Sequence, residues 1–114
     1  MSDLLSAALV CASMLMRQPA PDTDIVVLRV KPSTMTLLSG GQKNARAGFY
    51  PLSDRSAIIF TTDPERWDWM VHEACHVIQH ARRGTAFRGP HAERECHAIQ
   101  DRASACAKGP AVRK

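Results

Sequence analysis

The stretch DPERWDWMVHEACHVIQHARRG, residues 63–84, decides how this chain folds. Asp63 offers a capping carboxylate, Pro64 suits the first helical position, and Glu65 adds an acid where the helix dipole favours one. Trp67, Met70, Val71, Ala74, Ile78 and Ala81 then recur at intervals of three and four, which gives a helix one apolar face. Gly84 can supply the turn that ends it. The segment therefore predicts a long helix from Asp63 to about Arg83, buried along one side.

Downstream, a second long helix is expected from about Pro90 to Ala107, with Ala92, Cys96, Ile99, Ala103 and Cys106 on its inner face. Upstream, AGFYPL and SAIIFTT flank Ser53-Asp54-Arg55 as two short antiparallel strands around a turn, Pro51 marking an edge or a bulge. IVVLRV at 25–30 is short and β-branched, so it reads as a buried strand ended by Lys31-Pro32. Pro32 to Ser39 suits one or two helical turns closed by Gly40-Gly41. Residues 3–17, which contain the apolar run LLSAALVCASMLM, read as a first helix packed into the core, capped by Ser2 or Asp3 and stopped by Pro19 and Pro21. The expected fold is a minimal α+β domain spanning residues 1–114, a small three-stranded sheet with an N-terminal helix and two long helices. Residues 1–22 form that first helix and its linker, and 108–114 a flexible tail.

Within the first long helix, His72-Glu73-Ala74-Cys75-His76 is an HExxH motif. At 3.6 residues per turn the side chains at i and i+4 lie one above the other, so both imidazoles reach one ion. Glu73 falls on an adjacent line of the helix, where a carboxylate can take a proton from water. A helix flanked by Val71, Cys75, Val77 and Ile78 is apolar almost all round, and a metal resolves the burial of two histidines in it. A catalytic zinc commonly takes a third protein ligand. The segment 91–101, HAERECHAIQD, offers Glu93 and Glu95, with His91 and His97 beside them. The helical face centred on Cys96 and Ile99 lies between the two glutamates and does not choose between them.

HEACHVIQ followed by ERECHAIQDR resembles the gluzincin branch of the zincin metallopeptidases, whose third ligand is a glutamate on the following helix. The chain is also similar, over about residues 25–105, to small uncharacterised bacterial and phage-type proteins carrying HExxHxxQ and ExEAYxxQ. Here Cys96 and His97 replace that pattern's alanine and tyrosine. The resemblance implies zinc held by His72, His76 and Glu93, with Glu95 as the rival third ligand and His97, four residues after Glu93, supporting a metal-bound histidine. It implies peptide-bond hydrolysis with Glu73 as general base, then acid, and an edge strand at 57–61 pairing with an extended peptide. The alternative is a non-catalytic metal-binding structural or interaction domain that keeps such a site. His80 extends the His72–His76 line and is expected to be a partly exposed helix residue, with a supporting or substrate-binding role as the rival reading. Tyr50, the single tyrosine, is expected to be a half-buried strand residue, with polarising a substrate carbonyl as the rival reading.

Composition narrows the remaining classes. The 114 residues are 45% hydrophobic and 23% charged, an ordinary globular balance. Net charge is +4, with the basic excess confined to the C-terminal third. Lacking dense Arg/Lys runs or interleaved aromatics, that excess argues against nucleic acid as a partner. The 13-residue apolar run is too short to cross a bilayer, which takes about 20 residues. With Asp3 and no base before it, it fits a signal peptide poorly, so a cytoplasmic location is expected, secretion or the periplasm being the alternative if residues 1–20 act as a signal. The four cysteines form no CxxC pair, and free buried thiols are expected, with Cys75–Cys96 pairing allowed. The partner expected is a peptide or protein substrate. So short a chain leaves little for a second lobe over the cleft, so activity could depend on an oligomer or a partner protein.

Overall fold

Leu5, Ala8, Leu9, Cys11 and Ala12 share one side of helix α1 (Asp3–Met16) and are buried in the core. The computed structural model describes residues 3–42, 44–84 and 89–106. The tail expected at 108–114 and the caps proposed at Ser2 and Asp3 fall outside these residues or their described side chains. After α1 come β1 (Asp24–Arg29), α2 (Pro32–Leu38), β2 (Ala47–Ser53), β3 (Ser56–Thr61), α3 (Trp67–Arg83), α4 (Pro90–Asp101) and a single 3-10 turn at Ala103–Ala105. This is the expected α+β domain, with the short α2 as a fourth helix.

The three strands form one mixed sheet in the order β1-β3-β2. β3 runs parallel to β1 and antiparallel to β2, and the β2 register shifts between Pro51 and Ser53. β3 therefore occupies the centre, paired on both sides. The expectation of a peptide-binding edge at 57–61 is thus corrected: β3 has no free edge, and the open sides of the sheet belong to β1 and β2, of which β2 borders the cleft beside His72 and His76. The reason lies in the alternation of β3. Ala57, Ile59 and Thr61 are buried on one face while Ile58 and Phe60 are half-buried on the other, a pattern that suits a central strand.

α1 and α4 both pack against α3, and Ile59, Met70, Val71, Ala74, Val77, Ile78 and Cys96 close the core. α3 begins at Trp67, four residues later than Asp63 suggested. Asp63 instead caps a tight turn, its Oδ1 accepting the Glu65 amide at 3.0 Å, and the first helical bond runs from the Met70 amide to the Arg66 carbonyl at 3.0 Å. α4 ends at Asp101, short of the expected Ala107. There Trp67 Nε1 donates to the Ala103 carbonyl at 2.8 Å, which holds the 3-10 turn against the start of α3.

The cysteines depart from expectation most clearly. None of the four is free: Cys11 is bonded to Cys106 and Cys75 to Cys96, with Cα separations of 5.8 and 5.5 Å. Cys75 and Cys96 lie on the facing sides of α3 and α4, so the pairing the sequence allows is the one formed, and burial there brings the sulfurs together. Cys11–Cys106 joins α1 to the end of the described chain. No helix among the described residues is long and apolar enough to cross a membrane.

Candidate metal centre

α3 is amphipathic except across one stretch, where His72, Glu73, Gln79 and His80 are all buried. Buried polar groups need partners, and the partners reveal the site. His72 Nε2 lies 3.1 Å from His76 Nε2, as the i and i+4 spacing requires. α4 brings up Glu93, whose Oε1 is 3.1 Å from His72 Nε2 and whose Oε2 is 3.0 Å from His76 Nε2. Two imidazole nitrogens and one carboxylate thus converge on a single point between α3 and α4.

Gln79 fixes which nitrogen of His76 faces that point. Its amide nitrogen donates to the Ala92 carbonyl at 3.0 Å and to Glu95 Oε1 at 2.8 Å, so its oxygen is left to accept from His76 Nδ1 at 2.9 Å. With its proton on Nδ1, neutral His76 presents a lone pair at Nε2, facing the Glu93 carboxylate and a second imidazole. Three electron-rich groups at this distance require a positive charge among them. In the metal-free protein a proton serves. Burial lowers the pKa of His76, but the Glu93 hydrogen bond and the charges of Glu73 and Glu93 outweigh it and hold the imidazole above its usual value. Hydrogen bonds from His72 and His76 in turn hold the Glu93 carboxyl far below the ordinary carboxylate range.

The same donor set suits a metal ion. Ligands about 2.0–2.1 Å from a tetrahedral zinc stand roughly 3.3 Å apart, within a few tenths of an ångström of the distances here. His72, Glu93 and His97 also offer ligand atoms within 4.8 Å of one another, a group able to hold a metal ion. His97 Nε2 is 3.9 Å from Glu93 Oε1, however, and its side chain is 67% exposed, so His76 makes the tighter third member.

Glu73 is buried among these groups, with Oε1 lacking any hydrogen-bond partner. Desolvation raises its pKa, opposed by His76 and His72 and aided by the charge of Glu93. A buried carboxyl with a free oxygen and a raised pKa is a stronger proton acceptor than an exposed one. It lines a cleft of about 660 Å³ together with His72, His76, Glu93, His97, Trp69 and the β2 residues Ala47 to Pro51. Phe49 of β2 stacks on His76 at 6.2 Å between ring centroids and leans on His80 at 5.7 Å.

Several residues take places other than those expected. Glu95, the rival ligand, holds Gln79 instead. His97 does not support a histidine's far nitrogen: His72 Nδ1 is buried without a partner and His76 Nδ1 is taken by Gln79. Its ring meets that of His72 edge-on at 4.7 Å. His80 is 4% exposed, not partly exposed, because its Nε2 donates to the Ser53 carbonyl at 2.7 Å and ties α3 to the end of β2. Tyr50 lines the cleft, but its hydroxyl donates to the Leu38 carbonyl, and burial with the nearby Glu73 charge raises its pKa. Gly48 lies close beneath that ring: a Cβ there would stand 3.0 Å from Tyr50 Cε2 and 3.3 Å from Met35 Cε, so a larger residue would need both side chains to give by a few tenths of an ångström. Gln79 closes the HExxHxxQ pattern but has no role in the sequence reading; its place three residues after His76, on the same helical face, is the signal for one. No protein-family model, curated protein or solved structure matches the chain.

Proposed function

We propose that the protein is a zinc-dependent peptidase, with His72, His76 and Glu93 as the ligands and Glu73 as the general base. The observation that carries this reading is the convergence of His72 Nε2, His76 Nε2 and the Glu93 carboxylate at 3.0–3.1 Å, in a cleft that also contains a buried carboxyl with a free oxygen. Bound zinc supplies Lewis acidity, which lowers the pKa of a water toward ~7 and polarises a carbonyl. Glu73 takes a proton from water at its Oε1 and returns it to the departing amine nitrogen. Burial raises its pKa, which makes the carboxylate a stronger base toward water than an exposed glutamate. Gln79 and Glu95 keep His76 in the tautomer that turns Nε2 inward. The open side of β2 gives an extended peptide backbone groups to pair with, beside the metal ligands. The two disulfides support an oxidising compartment over the cytoplasm.

His97 favours a second reading. A swing of its exposed ring toward Glu93 would supply a fourth ligand, and four protein ligands close a zinc site to substrate and make it structural.

Elemental analysis and peptide hydrolysis on the full chain separate these readings. About one zinc per chain is expected, lost in His72→Ala and Glu93→Ala and kept in Glu95→Ala. Glu73→Gln should abolish cleavage of an unstructured peptide while retaining the metal. A wild type that cannot be loaded with zinc removes both readings; a loaded but inactive wild type that loses its metal in His97→Ala leaves the structural one.

A further inference from the structure

The sheet has two outer strands, and they are built differently. β2 carries Pro51 and a register shift, and it borders the cleft. The irregularity at Pro51 discourages continuous pairing along the whole strand with a second sheet, and the cleft beside it is where the proposed substrate would lie. β1 has none of these features: DIVVLR contains no proline and keeps an unbroken six-residue register with β3. No segment among the described residues pairs with its far side.

The ladder shows which backbone groups are free there. The Asp24 amide donates to the Arg55 carbonyl at 2.8 Å and the Val30 amide to the Thr61 carbonyl at 2.9 Å. Residues 24, 26, 28 and 30 therefore turn their backbone toward β3, and Ile25, Val27 and Arg29 turn theirs outward. Val26 and Leu28 are 53% and 41% exposed on the sheet face opposite buried Ile25. The strand is also polar in charge. Asp22 and Asp24 flank its start, Arg29 and Lys31 its end, and all four are exposed.

We propose that β1 is a self-association edge, at which a second copy of the chain pairs its own β1 antiparallel and extends the sheet to six strands. A two-fold axis normal to the sheet, passing beside Val27, keeps the faces of both copies aligned. It sets Val27 opposite Val27 of the second copy and Ile25 opposite its Arg29. Every outward residue is then in a hydrogen-bonded pair, six backbone bonds in all. The intervening pairs place Val26 against Leu28 of the second copy on the exposed face, where side chains approach most closely. Each acidic strand end meets the other copy's basic end. Parallel pairing would set like charges together, which is why the partner is an antiparallel copy. This inference does not rest on the proposed zinc chemistry.

The test uses exposed positions that the fold tolerates. Sedimentation equilibrium of the oxidised full-length wild type should show a dimer. The double variant Val26→Lys, Leu28→Lys puts lysine opposite lysine twice and should weaken the dimer about a hundredfold. Val26→Glu with Leu28→Lys puts opposite charges in the same pairs and should restore it. Unchanged far-UV circular dichroism confirms that each variant is folded. A monomeric wild type overturns the proposal, and so does a dimer that survives the double lysine variant or fails to recover in the charge-paired one.

Discussion

Replacing Gln79 by leucine tests the reading of the centre most directly. The two side chains are similar in volume, so the 2% exposed position stays filled. Three hydrogen bonds are lost, to His76, the Ala92 carbonyl and Glu95. Glu95 can turn to water, and the Ala92 carbonyl lies in α4, where it can keep a helical partner. The His76 Nδ1 proton, buried between two helices, keeps only the Cys96 sulfur at 3.6 Å, a weak acceptor. An unsatisfied buried donor costs about 1–3 kcal/mol, so a stability loss of about 2–3 kcal/mol is expected for the whole substitution. The larger effect should fall on the metal. Without a strong acceptor at Nδ1, His76 is free to carry its proton on Nε2, and loss of such a supporting partner typically costs 10–100-fold in metal affinity. Competition with a chromophoric chelator at pH 7 measures affinity, and urea unfolding of the chelated protein measures stability. Gln79→Glu keeps an acceptor for His76 but sets two carboxylates together, so it should recover metal affinity while remaining destabilised. If Gln79→Leu loses stability yet binds zinc like the wild type, Gln79 does not set the tautomer and the argument for the inward-facing lone pair fails.

Other consequences follow from the same contacts. Cys75→Ala with Cys96→Ala opens a loop of 21 residues and should cost about 3 kcal/mol, whereas opening the 95-residue span between Cys11 and Cys106 should cost more than 4 kcal/mol; equal urea midpoints with and without reductant would contradict both. The metal-free protein should gain stability as pH rises to about 4.5, because the Glu93 carboxyl is depressed by its histidine partners and its contribution is complete only above its unfolded value. Above that pH stability should decline as Glu73, whose pKa is raised, is forced to ionise, and again beyond about 6.5 as His76 gives up its extra proton. Melting temperatures in chelator that climb steadily from pH 5 to 9 would refute that ordering. Tyr50→Phe should leave the chemistry near wild type and cost about 1 kcal/mol, since the hydroxyl is engaged with Leu38; a loss of hydrolysis without loss of stability would return Tyr50 to the reaction.

What the sequence determined by itself is local. The i, i+4 spacing of His72 and His76 is fixed once residues 67–83 are helical, and the apolar periodicity of that segment makes them so. The strand pair around Ser53–Ser56 and the two-turn helix before Gly40 follow from nearest-neighbour preferences in the same way. Packing between residues far apart in the chain set the rest. Glu93 and Glu95 sit two positions apart on α4 and look alike in sequence; the docking angle of α4 sends one to the histidines and the other to Gln79. Strand order could not be read from composition alone: Pro51 marks β2 as an edge or a bulge, but β1 and β3 are both short β-branched runs, and either suits the centre. The pairing of the cysteines likewise depends on which buried faces meet, a matter of Cα separations of 5–6 Å that no spacing along the chain encodes.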